Sequence, residues 1–175
     1  MNTPSQHIGE RPAAGRLHAP SSLEELTQVV TTAVAQQADW WDLVRVPRTQ
    51  DRWWTRLAAY RDTDVWLLSW LPDQATDFHD HGESAAAFAV VRGELAEIRA
   101  DLSGTTTHHL WRPGSVTWLA PGVVHEVTGA GSGLAVSVHA YSPPLTQMTY
   151  YNSDIGSGLR AVRTVTTDEP EEIGV

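Results

Sequence analysis

Two histidines flank one aspartate in Phe78-His79-Asp80-His81. Residues i and i+2 of a strand point to the same face, so this spacing sets two imidazoles side by side. Two such nitrogens can grip one metal ion. A third histidine, His125, follows the turn Ala120-Pro121-Gly122. Three neutral imidazoles leave coordination positions open for a substrate. An HxH pair also occurs on ordinary polar strand faces, so the pair by itself decides little. A second polar row lies in Val136-Ser137-Val138-His139-Ala140-Tyr141. Ser137, His139 and Tyr141 alternate with apolar residues, so a hydroxyl, an imidazole and a phenol share one face. They can form a hydrogen-bond chain. The same alternation suits the solvated outer face of a sandwich strand.

These rows need strands to carry them. Short apolar and β-branched runs begin at Trp53 and are separated by turn residues. The spacing predicts strands over 53–61, 65–71, 85–92, 93–100, 105–111, 115–119, 125–128, 134–142 and 159–166. Many short strands at close spacing predict an all-β core, a sandwich or small barrel. A helix precedes it. Ser22 with Glu25 reads as a capping box, and Leu23, Leu26, Val29, Val30 and Val34 recur at helical spacing. The helix is expected to stop before Asp39. Residues 1–20 read as a flexible N-terminal tail, 21–166 as one domain with its N-terminal helix, and 167–175 as an acidic, solvated C-terminal tail. Trp66 and Trp118 are expected in the core. His108 and His109 are read as structural residues of an exposed strand, and Glu126 as facing away from His125.

Composition removes several chemistries. The 175 residues hold 41% hydrophobic and 19% charged residues, a globular balance. A net charge of −9 disfavours nucleic acid and anionic membrane surfaces as partners. No cysteine is present, which excludes disulfides, Cys-ligated zinc and a thiolate nucleophile. All 12 basic residues are arginine, which excludes a lysine Schiff base. The longest apolar run, Ala85 to Val91, is far short of the ~20 residues of a membrane helix. The first residues lack the apolar core of a signal peptide, so a cytoplasmic protein is expected. A monomer is expected as a separate reading.

His79, His81 and Gly93, with His125 downstream, resemble the two metal motifs of the cupin superfamily, a double-stranded β-helix. Ala86 stands where that pattern usually has glutamate, and Gly129 where it has asparagine. Losing the carboxylate leaves the full charge of a dication on three neutral ligands, which suits an anionic substrate group such as a thiolate. The continuation Ser142-Pro143-Pro144, with the HDH upstream, resembles the cysteine dioxygenase family of thiol dioxygenases. The resemblance spans about residues 53–151. It implies a jelly-roll-like cupin barrel and one Fe(II) per chain, held by His79, His81 and His125. It implies that Ser137, His139 and Tyr141 line the iron, with the tyrosine hydroxyl toward its ligands, and that Ser142-Pro143 is cis. It also implies that Arg56, in Trp54-Thr55-Arg56, grips the substrate carboxylate, with Trp54 in place of the usual tyrosine. The substrates implied are L-cysteine and O2, and the product cysteine sulfinic acid. Mammalian-type members place a cysteine at Ala86 and cross-link it to the tyrosine. This chain must lack that bond. Three alternatives stay open: 3-mercaptopropionate as substrate, a zinc-dependent hydrolase or lyase, and a ligand-binding module without catalysis. Arg56 favours cysteine over 3-mercaptopropionate, whose enzymes usually have glutamine there.

Overall fold

The structure, a computed structural model, describes residues 22–48, 52–60, 62–154 and 158–170. The proposed N-terminal tail, His7, His18, Arg61 and the last five residues lie outside them. Helix α1 (Leu23–Ala35) starts where the capping box places it. Glu25 N donates to Ser22 Oγ at 3.2 Å, and Ser22 N donates to Glu25 Oε2 at 2.7 Å. Such a cap contributes about 1 kcal/mol. The helical path continues past Asp39 through α2 (Gln37–Trp40) and a 3₁₀ turn (Trp41–Leu43). Trp40 explains the extension. Its ring is buried, and its Nε1 donates to Ala33 O at 2.9 Å. The indole gains more by folding back on α1 than by leaving the helix.

Eleven strands follow among the described residues: β1 (Trp53–Ala59), β2 (Asp64–Trp70), β3 (Phe78–Asp80), β4 (Ala85–Arg92), β5 (Glu94–Ala100), β6 (Thr106–Trp111), β7 (Val116–Leu119), β8 (Val124–Ala130), β9 (Ala135–Ser142), β10 (Gln147–Asp154) and β11 (Gly158–Thr166). They form two antiparallel sheets, ordered β1-β2-β9-β4-β7 and β11-β10-β3-β8-β5-β6. This is the mostly-β cupin barrel with a short helical N-terminus. Strand β10, like the three-residue β3, is absent from the ranges that sequence patterning predicts. The Thr-Gln-Met-Thr stretch after Pro143-Pro144 looks like a loop, yet Met148 and Tyr150 are buried at strand spacing. No helix among the described residues is long and apolar enough to cross a membrane.

Two cores hold the first sheet between them. Inside the barrel, Trp66, Leu68, Trp70, Phe88, Val90, Leu95 and Val127 pack together. On the sheet's other face, Ala85, Ala87, Ala89, Val136, Val138 and Ala140 meet Leu26 and Val30 of α1. Those sheet residues are small, so the helix can lie close to the strands. The face of β9 opposite its polar row is thereby the helix-covered one. Ser137, His139 and Tyr141 point into the barrel and are buried. Trp118 is corrected. It lies on the edge strand β7 and is 48% exposed, while Trp66 is buried as expected.

Gly93 makes the turn from β4 to β5, and so from one sheet to the other. Its φ is +71°, and an added Cβ would sit 2.7 Å from Ala135 Cα. Backbone strain and overpacking then act together. Gly93→Ala is expected to destabilise the fold by about 3 kcal/mol, read as a lower urea midpoint at unchanged slope. A midpoint within error of the parent would refute this account of the turn.

Candidate functional site

The three histidines meet inside the barrel. His79 sits on β3 directly opposite His125 of β8 in the strand register. His81 follows one residue beyond the end of β3. His79 Nε2 lies 3.2 Å from His81 Nε2. One nitrogen from each of the three falls within 4.8 Å of the others, and all three residues are buried. Two tautomers are set by neighbours. His79 Nδ1 donates to Asp77 O at 2.8 Å, and His125 Nδ1 donates to Glu97 Oε1 at 2.8 Å. With the proton on Nδ1, the Nε2 lone pair is the one available to a metal. The donor set fits a divalent ion of the borderline class, which imidazole suits. The site could therefore hold a metal ion.

Glu97 is the residue that sequence reasoning missed here. It is fully buried on β5 and also accepts from Trp111 Nε1 at 2.8 Å and Arg99 Nη2 at 3.0 Å. Burial pushes its carboxyl up. The hydrogen bonds from His125 and Arg99, with the Arg99 charge, outweigh that and hold it below the usual carboxylate range. An ionised carboxylate behind an imidazole raises its basicity as a ligand. Glu97→Gln is expected to weaken metal binding by about 10–100-fold, measured by chelator competition. Unchanged affinity would remove Glu97 from the site's support. The only signal in the sequence was an acid at an inward position in Glu94-Leu95-Ala96-Glu97.

Asp80, between the two histidines, anchors their strand. Tyr151 on β10 donates to Asp80 Oδ2 at 2.6 Å, and Gly82 N donates to Asp80 Oδ1 at 2.8 Å. Burial, then the Asp80 hydrogen bond and charge, push the Tyr151 phenol up to about 12. Glu126 points to the opposite face of β8, where burial and the charge of Asp77 raise its carboxyl pKa. His108 is exposed as expected. His109 instead turns inward in β6 and stacks on Trp111 at 5.3 Å.

The polar row of β9 borders the histidines. The Tyr141 ring lies 5.0 Å from the His81 ring. Ser137 Oγ lies 2.9 Å from His139 Nε2, and Trp70 Nε1 donates to Ser137 Oγ at 2.9 Å. An indole N–H can only donate, so Ser137 Oγ accepts from Trp70 and keeps one lone pair and its proton for the contact with His139 Nε2. Phe88 stacks on the His139 ring at 5.0 Å and fixes its plane. Trp70 is thus the unexpected start of the chain. Ala86, on β4, is the direct cross-strand neighbour of Tyr141. The Ser142-Pro143 bond is cis.

Arg56 and Trp54 lie on β1, whose inward face continues that of β2 and β9. In register, Arg56 faces Trp66 and Trp54 faces Leu68. Trp54 packs on the barrel core. A bulge between Arg56 and Ala58 breaks the ladder, a device that re-aims side chains. The Arg56 guanidinium lies 4.5 Å over the Trp66 ring. Its Nη2 reaches Asp64 Oδ2 at 3.7 Å, Asp168 Oδ2 at 3.6 Å and the Asp168 carbonyl at 3.1 Å. Its Nε is buried with no hydrogen-bond partner among the described residues. Asp168 belongs to the stretch expected to be a solvated tail. The described part, 167–170, folds back instead. Thr167 N donates to Thr146 O at 3.2 Å, and Pro170 is buried.

Two solved structures share the fold. A Klebsiella pneumoniae protein with a double-stranded β-helix domain is 20% identical, with 70% of this chain and 93% of that chain covered at a TM-score of 0.50. The TT1209 protein of Thermus thermophilus is 20% identical, with 60% and 94% covered at a TM-score of 0.53. At this identity the likeness speaks for the cupin fold alone. The family pattern described as cysteine dioxygenase type I matches residues 21–154. That match takes in β1 to β10, and with them every inward-facing residue of the site. The chain belongs to the cysteine dioxygenase type I family.

Proposed function

We propose that this protein is a non-haem Fe(II) thiol dioxygenase that oxidises L-cysteine with O2 to cysteine sulfinic acid. The convergence of three buried imidazoles beside the Ser137-His139-Tyr141 row carries this reading. His79, His81 and His125 would hold the ion. The chemistry Fe(II) supplies in such a place is thiolate coordination and dioxygen activation, with both oxygen atoms ending on sulfur.

The remaining work falls to the chain's own groups. Arg56 receives the substrate carboxylate. The fork formed by Nε and Nη2 matches two carboxylate oxygens, and the Nε side of that fork is buried without a partner. Trp66 beneath the guanidinium and Trp54 beside it keep the fork in one orientation and exclude water. Tyr141 donates from its hydroxyl toward the reacting groups. His139, oriented by Ser137 and Trp70, fixes where the phenol sits. Trp70, Phe88 and Leu68 line the wall behind the row, so its hydrogen bonds face little competition from water.

The deciding experiment is oxygen uptake by the iron-loaded protein with L-cysteine and, separately, 3-mercaptopropionate, with sulfinate and metal content measured in the same samples. One sulfinate per O2 with L-cysteine supports the reading. Preference for 3-mercaptopropionate moves the substrate, and uptake with neither thiol refutes a thiol dioxygenase. Tyr141→Phe is expected to lower sulfinate formed per O2 consumed to about half or less, since the donor is lost while the ring remains. Equal coupling in the variant would take that role from Tyr141.

A further inference from the structure

The segment after β11 occupies the arginine that the proposed function gives to the substrate. β1 is an edge strand of one sheet and β11 an edge strand of the other. Arg56 joins β1 to the segment that follows β11. Its Nη2 donates to the Asp168 carbonyl at 3.1 Å, and the Asp168 carboxylate stands 3.6 Å away. Of the fork that a carboxylate would take, the Nη2 half is therefore engaged and the Nε half is buried with no partner. The two acids that share Nη2 differ. Asp64 is built into the wall of the barrel, with a side chain 8% exposed, on the strand position facing Tyr141. Asp168 is 64% exposed and lies in a short strap held to the body by Thr167 N on Thr146 O and by the buried Pro170, with a Glu169 N bond to Thr167 Oγ1 at 3.1 Å inside the strap. The exposed ion pair and the exposed hydrogen bond from Arg56 to Asp168 are weak and readily exchanged. The wall acid stays, while the Asp168 end of the strap can swing off the guanidinium about its Pro170 anchor.

We propose that residues 167–170 form a substrate-displaced strap, in which Asp168 holds the Arg56 fork until an incoming thiol's carboxylate takes its place. Asp168 is thus a determinant of carboxylate-substrate affinity. The strap keeps the guanidinium paired and oriented in the empty site. It also makes any thiol without a carboxylate unable to open the site from that side. The inference rests on the reading that Arg56 meets the substrate carboxylate.

The test uses the full iron-loaded chain with Asp168→Asn, which keeps size and removes the charge, and Glu169→Gln as a control for general charge. Asp168→Asn is expected to lower KM for L-cysteine about threefold with kcat unchanged, because one exposed charge pair no longer competes. Glu169→Gln is expected to match the parent. Amide hydrogen exchange at Thr167 and Glu169 is expected to speed up when L-cysteine is added without oxygen. A KM in Asp168→Asn equal to or above the parent, an equal fall in Glu169→Gln, or unchanged amide exchange each overturns the strap. Failure of the underlying reading looks different. Then Arg56→Ala leaves KM for L-cysteine unaltered, and the strap proposal falls with it. Should the protein turn over no thiol, the exchange measurement still decides, with L-cysteine as the probe.

Discussion

His125→Ala is expected to retain less than about a tenth of the parent's iron after loading and desalting, and to consume no measurable oxygen with L-cysteine. The reason is geometric. Three nitrogens define the site, the chain has no cysteine, and among the described residues no further histidine or carboxylate belongs to that cluster to replace one. Glu97 lies behind His125 and would be left with Arg99 and Trp111. Because those partners remain, loss of the imidazole should cost the fold only about 1–3 kcal/mol. Circular dichroism at working temperature would then show a folded protein without its metal. His108→Ala is the matching control, since His108 is exposed on β6, and it should behave as the parent. Iron at one per chain in His125→Ala would remove His125 from the ligand set.

Arg56→Ala carries the second large effect. A guanidinium fork on a carboxylate contributes about 1.5–3 kcal/mol, so KM for L-cysteine should rise about 10–100-fold. Orientation suffers too, because the carboxylate end of the substrate is no longer fixed relative to the histidines, and kcat should fall with it. Arg56→Lys should recover only part of the loss. An ammonium supplies charge but not the planar pair of donors. Steady-state kinetics on the three proteins at equal iron content would check this. A KM within twofold of the parent in Arg56→Ala would place the substrate carboxylate elsewhere.

The sequence was most legible where local alternation alone determined geometry. His79 and His81 share a face through their i, i+2 spacing, and Ser137, His139 and Tyr141 do so along one strand. That the latter face is interior was not legible. It depends on α1 covering the opposite side with Ala85, Ala87, Ala89, Val136, Val138 and Ala140, which is a tertiary fact. Glu97 and Trp70 escaped notice for the same reason. Each is a single residue whose relevance comes from the register between distant strands. Strand β10 was hidden because Pro143-Pro144 and polar neighbours read as a loop. Trp118 misled because size suggested burial, while its place on an edge strand decided exposure. The strap at Asp168 could not be foreseen from an acidic terminal composition, which ordinarily means solvation.

Ala86 has a consequence for the population of molecules rather than for one of them. A methyl group sits across from Tyr141, and the chain has no sulfhydryl to join to that phenol. No thioether can therefore form to that phenol, and the protein cannot be divided into cross-linked and uncross-linked forms. An intact-mass spectrum holds no pair of peaks separated by the two hydrogens such a bond removes.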